Sequence, residues 1–167
     1  MTATFLPKPV VGINGSGMHT NFSLGKAGKN IFHDPKGPDF ISPAGWNAID
    51  RILGSADGLC LILNSSVNSY RRLDPHYEAP NQIRTSAVDR SAMIRIPIGN
   101  EKSARIEVRS VAPDANPYLT FYSILSTAIN GPLDTKAIEH NRKRQDRVLP
   151  DNIQDAIRLF ESDKWIA

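Results

Sequence analysis

Residues 103–110, Ser-Ala-Arg-Ile-Glu-Val-Arg-Ser, alternate between small or apolar side chains and charged ones. This period of two predicts a β-strand with its charged members, Arg105, Glu107 and Arg109, on one face. The run at residues 91–98, Ser-Ala-Met-Ile-Arg-Ile-Pro-Ile, predicts a second strand that pairs with the first. Together they indicate an antiparallel sheet with one apolar and one charged face.

The pairing register decides whether Arg95 joins that charged face. It does so only if the residue numbers of two directly opposite partners, one on each strand, add to an even value. This condition predicts a connecting loop with an odd number of residues, such as three or five. A slip of one residue would bury the charges. Such a face is commonly a solvated outer surface, but Glu107 alone cannot balance several arginines. The imbalance favours a site that binds an anion.

Helix signals complete an α+β fold, in which helices flank the antiparallel sheet. Serine or asparagine followed by proline is a typical helix start, and glycine a typical end. We predict three helices: one from Ser42-Pro43 to near Gly58, one from Asn116-Pro117 to Gly131, and one from about Asp151. We also predict strands at 2–11 and 17–24, a long structured loop at 68–80, and a mobile polar loop at 132–150.

Composition predicts one globular domain over residues 1–167, with 40% apolar and 22% charged residues. No apolar run is long enough for a membrane span, no secretory signal begins the chain, and the single cysteine, Cys60, excludes an intrachain disulfide. We therefore expect a cytoplasmic protein. The net charge is +3. The arginines lie among apolar residues between Arg71 and Arg109 without a nucleic-acid motif, which favours a small ligand bearing phosphate or carboxylate over nucleic acid.

The stretch Asn-Gly-Ser-Gly-Met-His at 14–19 admits two interpretations. Its glycines could form a hairpin turn before an ordinary strand histidine. They could also let the backbone approach a ligand more closely than a side chain would permit. The six residues alone do not choose between a turn and a ligand loop.

Five separated segments together resemble the glutamine synthetase family. They are NGSGMH, NSYRRLDPHYEAP, DRSAMIRIP, ARIEVRS and DANPYL, in family order and with near-family spacing from Phe5 to about Leu125. The resemblance implies an ATP-dependent ligase that joins glutamate and ammonium through γ-glutamyl phosphate. It also implies Mg²⁺ or Mn²⁺ among inward-facing carboxylates of an antiparallel sheet, and a homo-oligomer of stacked rings with shared active sites.

The resemblance also implies roles for individual residues. His19 and Glu107 match metal ligands, and the positions that match substrate contacts are Asn14, Gly15, Arg72 and Arg109. The positions that match nucleotide contacts are Ser23, Arg95, Lys102 and Arg105.

Two further positions match catalytic residues of the family. Arg90 matches an arginine near the transferring phosphoryl group. Glu78 matches a glutamate on a mobile flap that shields the intermediate and helps to take a proton from ammonium. Glu78 could instead be a carboxylate that anchors its loop, and Tyr70 and Tyr77 are expected to pack within that loop.

The chain also departs from the family. Family members are more than twice as long, and the small N-terminal domain and the first part of the catalytic domain have no match here, so the resemblance implies that residues 1–167 are the C-terminal portion of a glutamine synthetase catalytic domain. Asn21 stands where many members have a second histidine. We therefore expect the isolated chain to lack ligase activity. The alternatives are a γ-glutamyl ligase that uses a polyamine or another amine, and a non-catalytic truncated homologue or gene remnant.

Overall fold

The computed structural model describes residues 3–134, Arg142 and residues 146–167. The strands are β1 (Thr20–Phe22), β2 (Gly25–Lys26), β3 (Lys29–Asn30), β4 (Gln82–Ser86), β5 (Ala92–Arg95) and β6 (Ile106–Val108). The helices are α1 (Pro43–Gly54), α2 (Ala56–Leu63), α3 (Val67–Arg72), α4 (Pro117–Asn130) and α5 (Ile153–Ser162). No helix of the described residues has both the length and the apolar character needed to cross a bilayer.

Four strands form one sheet in the order β1-β6-β5-β4, and β2 and β3 form a separate hairpin. β6 runs antiparallel to both β1 and β5, whereas β5 runs parallel to β4. The α+β class is therefore confirmed, and the sheet, which was predicted to be antiparallel, also contains one parallel pair. The parallel pair arises from β4, which the sequence analysis did not predict.

The register of β5 on β6 is the predicted one. Ile94 faces Val108 and Arg95 faces Glu107, so partner numbers add to an even value. In this register the side chains of Ile94 and Val108 point into the apolar core, while those of Arg95 and Glu107 lie on the opposite face of the sheet. The connection is longer than predicted, because the paired strands end at Arg95 and begin again only at Ile106.

Helices cover the apolar face of the sheet. Residues of α1 and α2, such as Ile49, Ile52 and Leu59, are fully buried in the same cluster as Ile94 and Ile106. α4 packs against α1 and α2, and α5 packs against α2. Burial of this apolar surface is the main force that holds the helices on the sheet. The charged face is left free to build a site.

Side-chain caps fix where the helices begin. Ser42 Oγ accepts from the backbone N–H of Gly45 at 3.2 Å at the start of α1. Asn116 Oδ1 accepts from the first N–H groups of α4, which confirms the predicted start of this helix. The helix ends at Asn130 with Gly131 as its C-cap, so the predicted end is confirmed as well. Asn152 caps the last helix, which therefore begins at Ile153, two residues after the predicted start.

Of five other local predictions, four need correction and one lies largely outside the described residues. The first predicted helix breaks at Ser55 into α1 and α2 and does not continue to Gly58 as one helix. The predicted loop at 68–80 begins inside helix α3. The described part of the predicted strand at 2–11 has no strand, and the predicted strand at 17–24 shortens to β1. The predicted mobile loop at 132–150 lies largely outside the described residues.

Candidate active site

Glu107 is the centre of the charged face. It lies in the middle of β6, and its cross-strand neighbours are Asn21 on β1 and Arg95 on β5. Only 6% of Glu107 is exposed. His19, just before β1, places Nδ1 2.9 Å from Glu107 Oε1. His19 and Glu107 therefore lie on the same side of the sheet, as the alternation of their strands predicts.

Two arginines contact the same carboxylate. Arg95 Nη1 donates to Glu107 Oε2 at 3.3 Å, and Arg109 Nε lies 3.7 Å from Oε1. Arg109 Nε is buried and has no hydrogen-bond partner among the described residues. A single buried carboxylate thus faces two guanidinium groups, which leaves a net positive surface beside it.

Arg72 reaches this region from the last turn of α3. It is 5% exposed, and its guanidinium donates to the backbone carbonyls of Arg109 at 2.8 Å, Ser110 at 3.1 Å and Val111 at 3.3 Å. Burial, with a smaller effect from the charge of Arg109, lowers the pKa of Arg72 from 12.5 to about 10. Arg72 therefore ties α3 to the end of β6 while two of its five N–H groups remain for other partners.

The glycine stretch at 14–19 packs directly on Arg72. A Cβ at Gly17 would lie 2.2 Å from Nη2 of Arg72, and one at Gly15 would lie 2.4 Å from the carbonyl oxygen of Pro7. A side chain at residue 15 would therefore clash with the backbone, and one at residue 17 would displace the Arg72 guanidinium. The stretch does not connect two strands, so the hairpin-turn interpretation is wrong. The glycines instead allow the backbone to close over a buried cation.

These elements surround one open pocket of about 310 Å³. One side of the pocket, the glycine wall, is formed by Asn14, Gly15 and Gly17, next to Arg72 and Arg109. Another side is formed by residues 77–80, which include Glu78. Arg90 Nη1 donates to Glu78 Oε2 at 2.5 Å across the mouth. The pocket is lined by Asn14, Gly15, Gly17, His19, Arg72, Tyr77, Glu78, Ala79, Pro80, Arg90 and Arg109.

The pocket favours the neutral form of His19. Burial lowers the pKa of His19, and the charges of Arg109 and Arg72 lower it further. The carboxylate of Glu107 acts in the opposite direction but does not reverse the shift. Burial also lowers the pKa of Arg109. A neutral imidazole keeps a nitrogen lone pair that can bind a cation or accept a proton.

The predicted nucleotide contacts lie farther along the sheet and do not all meet. Arg105 shares the charged face and its Nε donates to Asn21 Oδ1 at 3.0 Å. Lys102 lines a separate cavity of about 440 Å³ together with His33, Asn100 and Glu101. Ser23 is exposed just beyond the end of β1. Arg95 bridges this region to the pocket through its contact with Glu107.

Comparison with known sequences identifies the family. The profile of the glutamine synthetase catalytic domain matches residues 1–167. The chain belongs to the glutamine synthetase family. A glutamine synthetase of Staphylococcus epidermidis is 39% identical over 177 residues, and one of Thermus thermophilus is 40% identical over the same length. Each alignment covers 98% of this chain and 40% of the relative, so the chain spans about two fifths of the length of these curated glutamine synthetases.

Solved structures agree with this assignment. The glutamine synthetase of Plasmodium falciparum superposes with a TM-score of 0.81 over 96% of this chain and 41% of its own, at 23% identity, which supports the fold. A protein named GmaS, solved without ligand, gives a TM-score of 0.78 at 33% identity over 96% of this chain and 39% of its own. The mixed sheet and its helices are therefore a part of the larger glutamine synthetase fold.

His19 and Glu107 fit part of a divalent metal site. An imidazole nitrogen and a carboxylate are ligand types that Mn²⁺ and, for the carboxylate, Mg²⁺ accept. Across the described ranges 3–134, Arg142 and 146–167, however, no three His, Cys, Asp or Glu side chains group as a metal site would require. The two residues therefore fit as a partial ligand set that needs further oxygen donors.

Some contacts at the pocket had no signal in the sequence analysis. Lys8 is buried with Nζ 3.4 Å from the centre of the Tyr77 ring, and its backbone exchanges two hydrogen bonds with the side chain of Asn68. Lys8 and Tyr77 are far apart in sequence, so no local pattern relates them. Arg84, which contacts the two residues that flank Arg90, was also missed because its strand was not predicted.

Proposed function

We propose that this chain provides the glutamate-binding and phosphoryl-binding part of an ATP-dependent glutamate–ammonia ligase that works through γ-glutamyl phosphate. The observation that carries the proposal is the meeting of Arg72, Arg90, Arg109 and Glu78 at one pocket beside the His19–Glu107 pair. Three cationic groups at a single pocket suit a substrate that carries carboxylates and becomes phosphorylated.

Glutamate would bind at the glycine wall of the pocket. Arg72 would hold the α-carboxylate with the N–H groups that it does not donate to backbone carbonyls, and Arg109, which lines the same pocket, would add a second positive charge. Asn14 and Gly15, which line the same wall, would contact the rest of the amino acid. Because Arg72 is already fixed by three hydrogen bonds, little side-chain entropy would be lost when the carboxylate binds.

Arg90 would act on the phosphoryl group. Its guanidinium lies at the mouth of the pocket, where it could follow the charge that moves from ATP to the γ-carboxylate of glutamate. Arg95 and Arg105 continue the positive surface along the sheet and would bind the remaining phosphates. Ser23 and Lys102 would lie near the nucleoside.

Glu78 would act in the second half-reaction. Its carboxylate is 56% exposed and faces Arg90 on a loop at the edge of the pocket. A proton would pass from ammonium to Glu78, and the nitrogen lone pair released would attack the γ-carbonyl carbon of the acyl phosphate. The C–O bond to phosphate would then break, inorganic phosphate would leave with that electron pair, and the leaving phosphate would accept the second proton that the nitrogen loses as the amide forms. Arg90 would stabilise the departing charge.

His19 and Glu107 would hold a divalent ion, Mg²⁺ or Mn²⁺, which when bound supplies positive charge to the phosphates. We place the further metal ligands and the rest of each shared active site in parts of the oligomer that this chain does not include. The isolated chain is accordingly proposed to bind substrates weakly and to have no ligase turnover.

Substrate binding to the purified chain tests the division of roles. Calorimetric titration with glutamate should show weaker binding for Arg72→Ala, whereas titration with ATP should show weaker binding for Arg90→Ala. Arg71→Ala is the matched control, since Arg71 is the exposed neighbour of Arg72 on α3. Equal losses for both ligands in both variants would contradict the assigned roles.

A hybrid enzyme tests the reaction itself. This chain would replace the aligned two fifths of the Thermus thermophilus glutamine synthetase, to which it is 40% identical. We expect glutamine formation from ATP, glutamate and ammonium, lost in Glu107→Ala. Product formed only with a polyamine or another amine would instead establish the alternative ligase. An assembled hybrid without any turnover would favour a non-catalytic homologue.

A further inference from the structure

The segment that carries Arg90 is short for a connection between parallel strands. Because β4 and β5 are parallel, the five residues 87–91 must run back along the whole length of β4 before β5 begins. At about 3.3 Å per residue, β4 is roughly 13 Å long. The link from Ser86 to Ala92 can reach at most about 20 Å. Parallel neighbours are usually joined by a dozen or more residues, so this link is unusually short.

A buried arginine lies under this link. The side chain of Arg84, on β4, is 9% exposed. Its Nε donates to Gln82 Oε1 at 2.6 Å, and its Nη2 donates to Asp89 Oδ2 and to Ser91 Oγ. A guanidinium this far from water needs an anionic partner, and Asp89 supplies it. The ion pair therefore attaches the link to the strand beneath it.

The two residues that flank Arg90 are held to each other as well. Asp89 Oδ1 accepts from the backbone N–H of Ser91 at 2.8 Å and from its hydroxyl at 2.7 Å. The backbone N–H of Asp89 donates to Ser86 Oγ at 2.9 Å. From the pocket side, Arg109 Nη1 donates to the carbonyl oxygen of Arg90 at 2.5 Å. The backbone of Arg90 is thus fixed on both sides while its side chain stays exposed.

We propose that Arg84 is a positioning residue for Arg90: the Arg84–Asp89 ion pair fixes the 87–91 link so that the Arg90 guanidinium projects over the pocket. The inference rests on the proposed role of Arg90 in binding phosphate. Arg84 does not line the pocket and would act only through the link. A small shift of the Arg90 guanidinium would strongly weaken its contact with phosphate. Loss of the Arg84–Asp89 ion pair should therefore weaken phosphate binding.

Hydrogen exchange of the full chain tests whether the ion pair fixes the link. In Arg84→Met and in Asp89→Asn, amides of residues 87–91 should exchange about tenfold faster or more, while β6 amides keep their rates. Arg71→Met, which removes an exposed guanidinium, should change neither set. If Arg84→Met does not fold, Asp89→Asn decides, because the Asp89 side chain is 45% exposed and the substitution keeps its size. Unchanged exchange at 87–91 would overturn the proposal.

Titration with inorganic phosphate tests whether Arg84 acts through Arg90. Arg84→Met should weaken phosphate binding about as much as Arg90→Ala does, and the double variant should bind no more weakly than Arg90→Ala alone. Additive losses, or unchanged binding in Arg84→Met where Arg90→Ala weakens it, would overturn the proposal. If Arg90→Ala leaves phosphate binding unchanged, the proposed role of Arg90 fails, and the exchange rates alone decide whether Arg84 fixes the link.

Discussion

Replacing Arg72 with methionine should destabilise this chain far more than the same change at Arg71. Arg72→Met removes three hydrogen bonds to the carbonyls of residues 109–111, while the Val111 oxygen keeps its bond from the Met18 N–H at 2.9 Å. The acceptors are neutral, and burial of the cation itself opposes folding, as the lowered pKa of Arg72 indicates. We therefore take about 1–1.5 kcal/mol for each bond, which gives a loss of roughly 3–4.5 kcal/mol in the free energy of unfolding. Arg71 is exposed, so Arg71→Met should change that free energy by no more than about 0.5 kcal/mol.

Urea unfolding followed by circular dichroism measures both variants. For a chain of this size, the loss in Arg72→Met corresponds to a fall of roughly 6–18 °C in Tm. Arg72→Lys keeps the charge but cannot reach three carbonyls with one ammonium group, and should fall between the wild type and Arg72→Met. If the two methionine variants differed by less than about 1 kcal/mol, the anchoring function of Arg72 would be refuted.

Three further predictions concern the thiol, a helix cap and an acid. Burial and the nearby charge of Asp57 raise the pKa of Cys60 to about 12, so iodoacetamide at pH 8 should label Cys60 only after unfolding; rapid labelling of the native chain would contradict this. Asn116→Ala should lower the free energy of unfolding by about 1 kcal/mol while Asn116→Asp preserves it, as urea titration would show, because only the latter keeps the cap of α4. Hydrogen bonds from Ser91, with a smaller effect from Arg84, hold the pKa of Asp89 below its usual 3.8, so its contribution is present above that pH and is lost as the pH falls through the lower folded value. Acid unfolding of Asp89→Asn should lack this part of the pH dependence, and identical profiles would argue against the Ser91 hydrogen bonds and the weaker Arg84 contact as the cause of the lowered pKa.

The charged face was predictable because its cause is local. Alternation along residues 103–110 put Arg105, Glu107 and Arg109 together, and the even register needed only the requirement that charges stay out of the core. The starts of α1 and α4 were equally local, since a cap and its N–H partners lie within three residues of each other. The NGSGMH stretch left turn and ligand loop open, and the hairpin turn was excluded only because the described residues before the stretch form no strand.

Tertiary structure alone decided the features that depend on distant residues. β4 has little apolar periodicity of its own and becomes a strand because β5 pairs with it in parallel, a choice that no neighbouring residue encodes. The interior position of Arg72 depends on carbonyls almost forty residues away, so its sequence motif suggested a substrate ligand but not an anchor. The sequence thus determined which side chains share a face, because side-chain direction follows from the backbone repeat. The fold decided which of them are buried, paired or left free for a ligand, because burial and pairing are set by segments that meet only when the chain closes on itself.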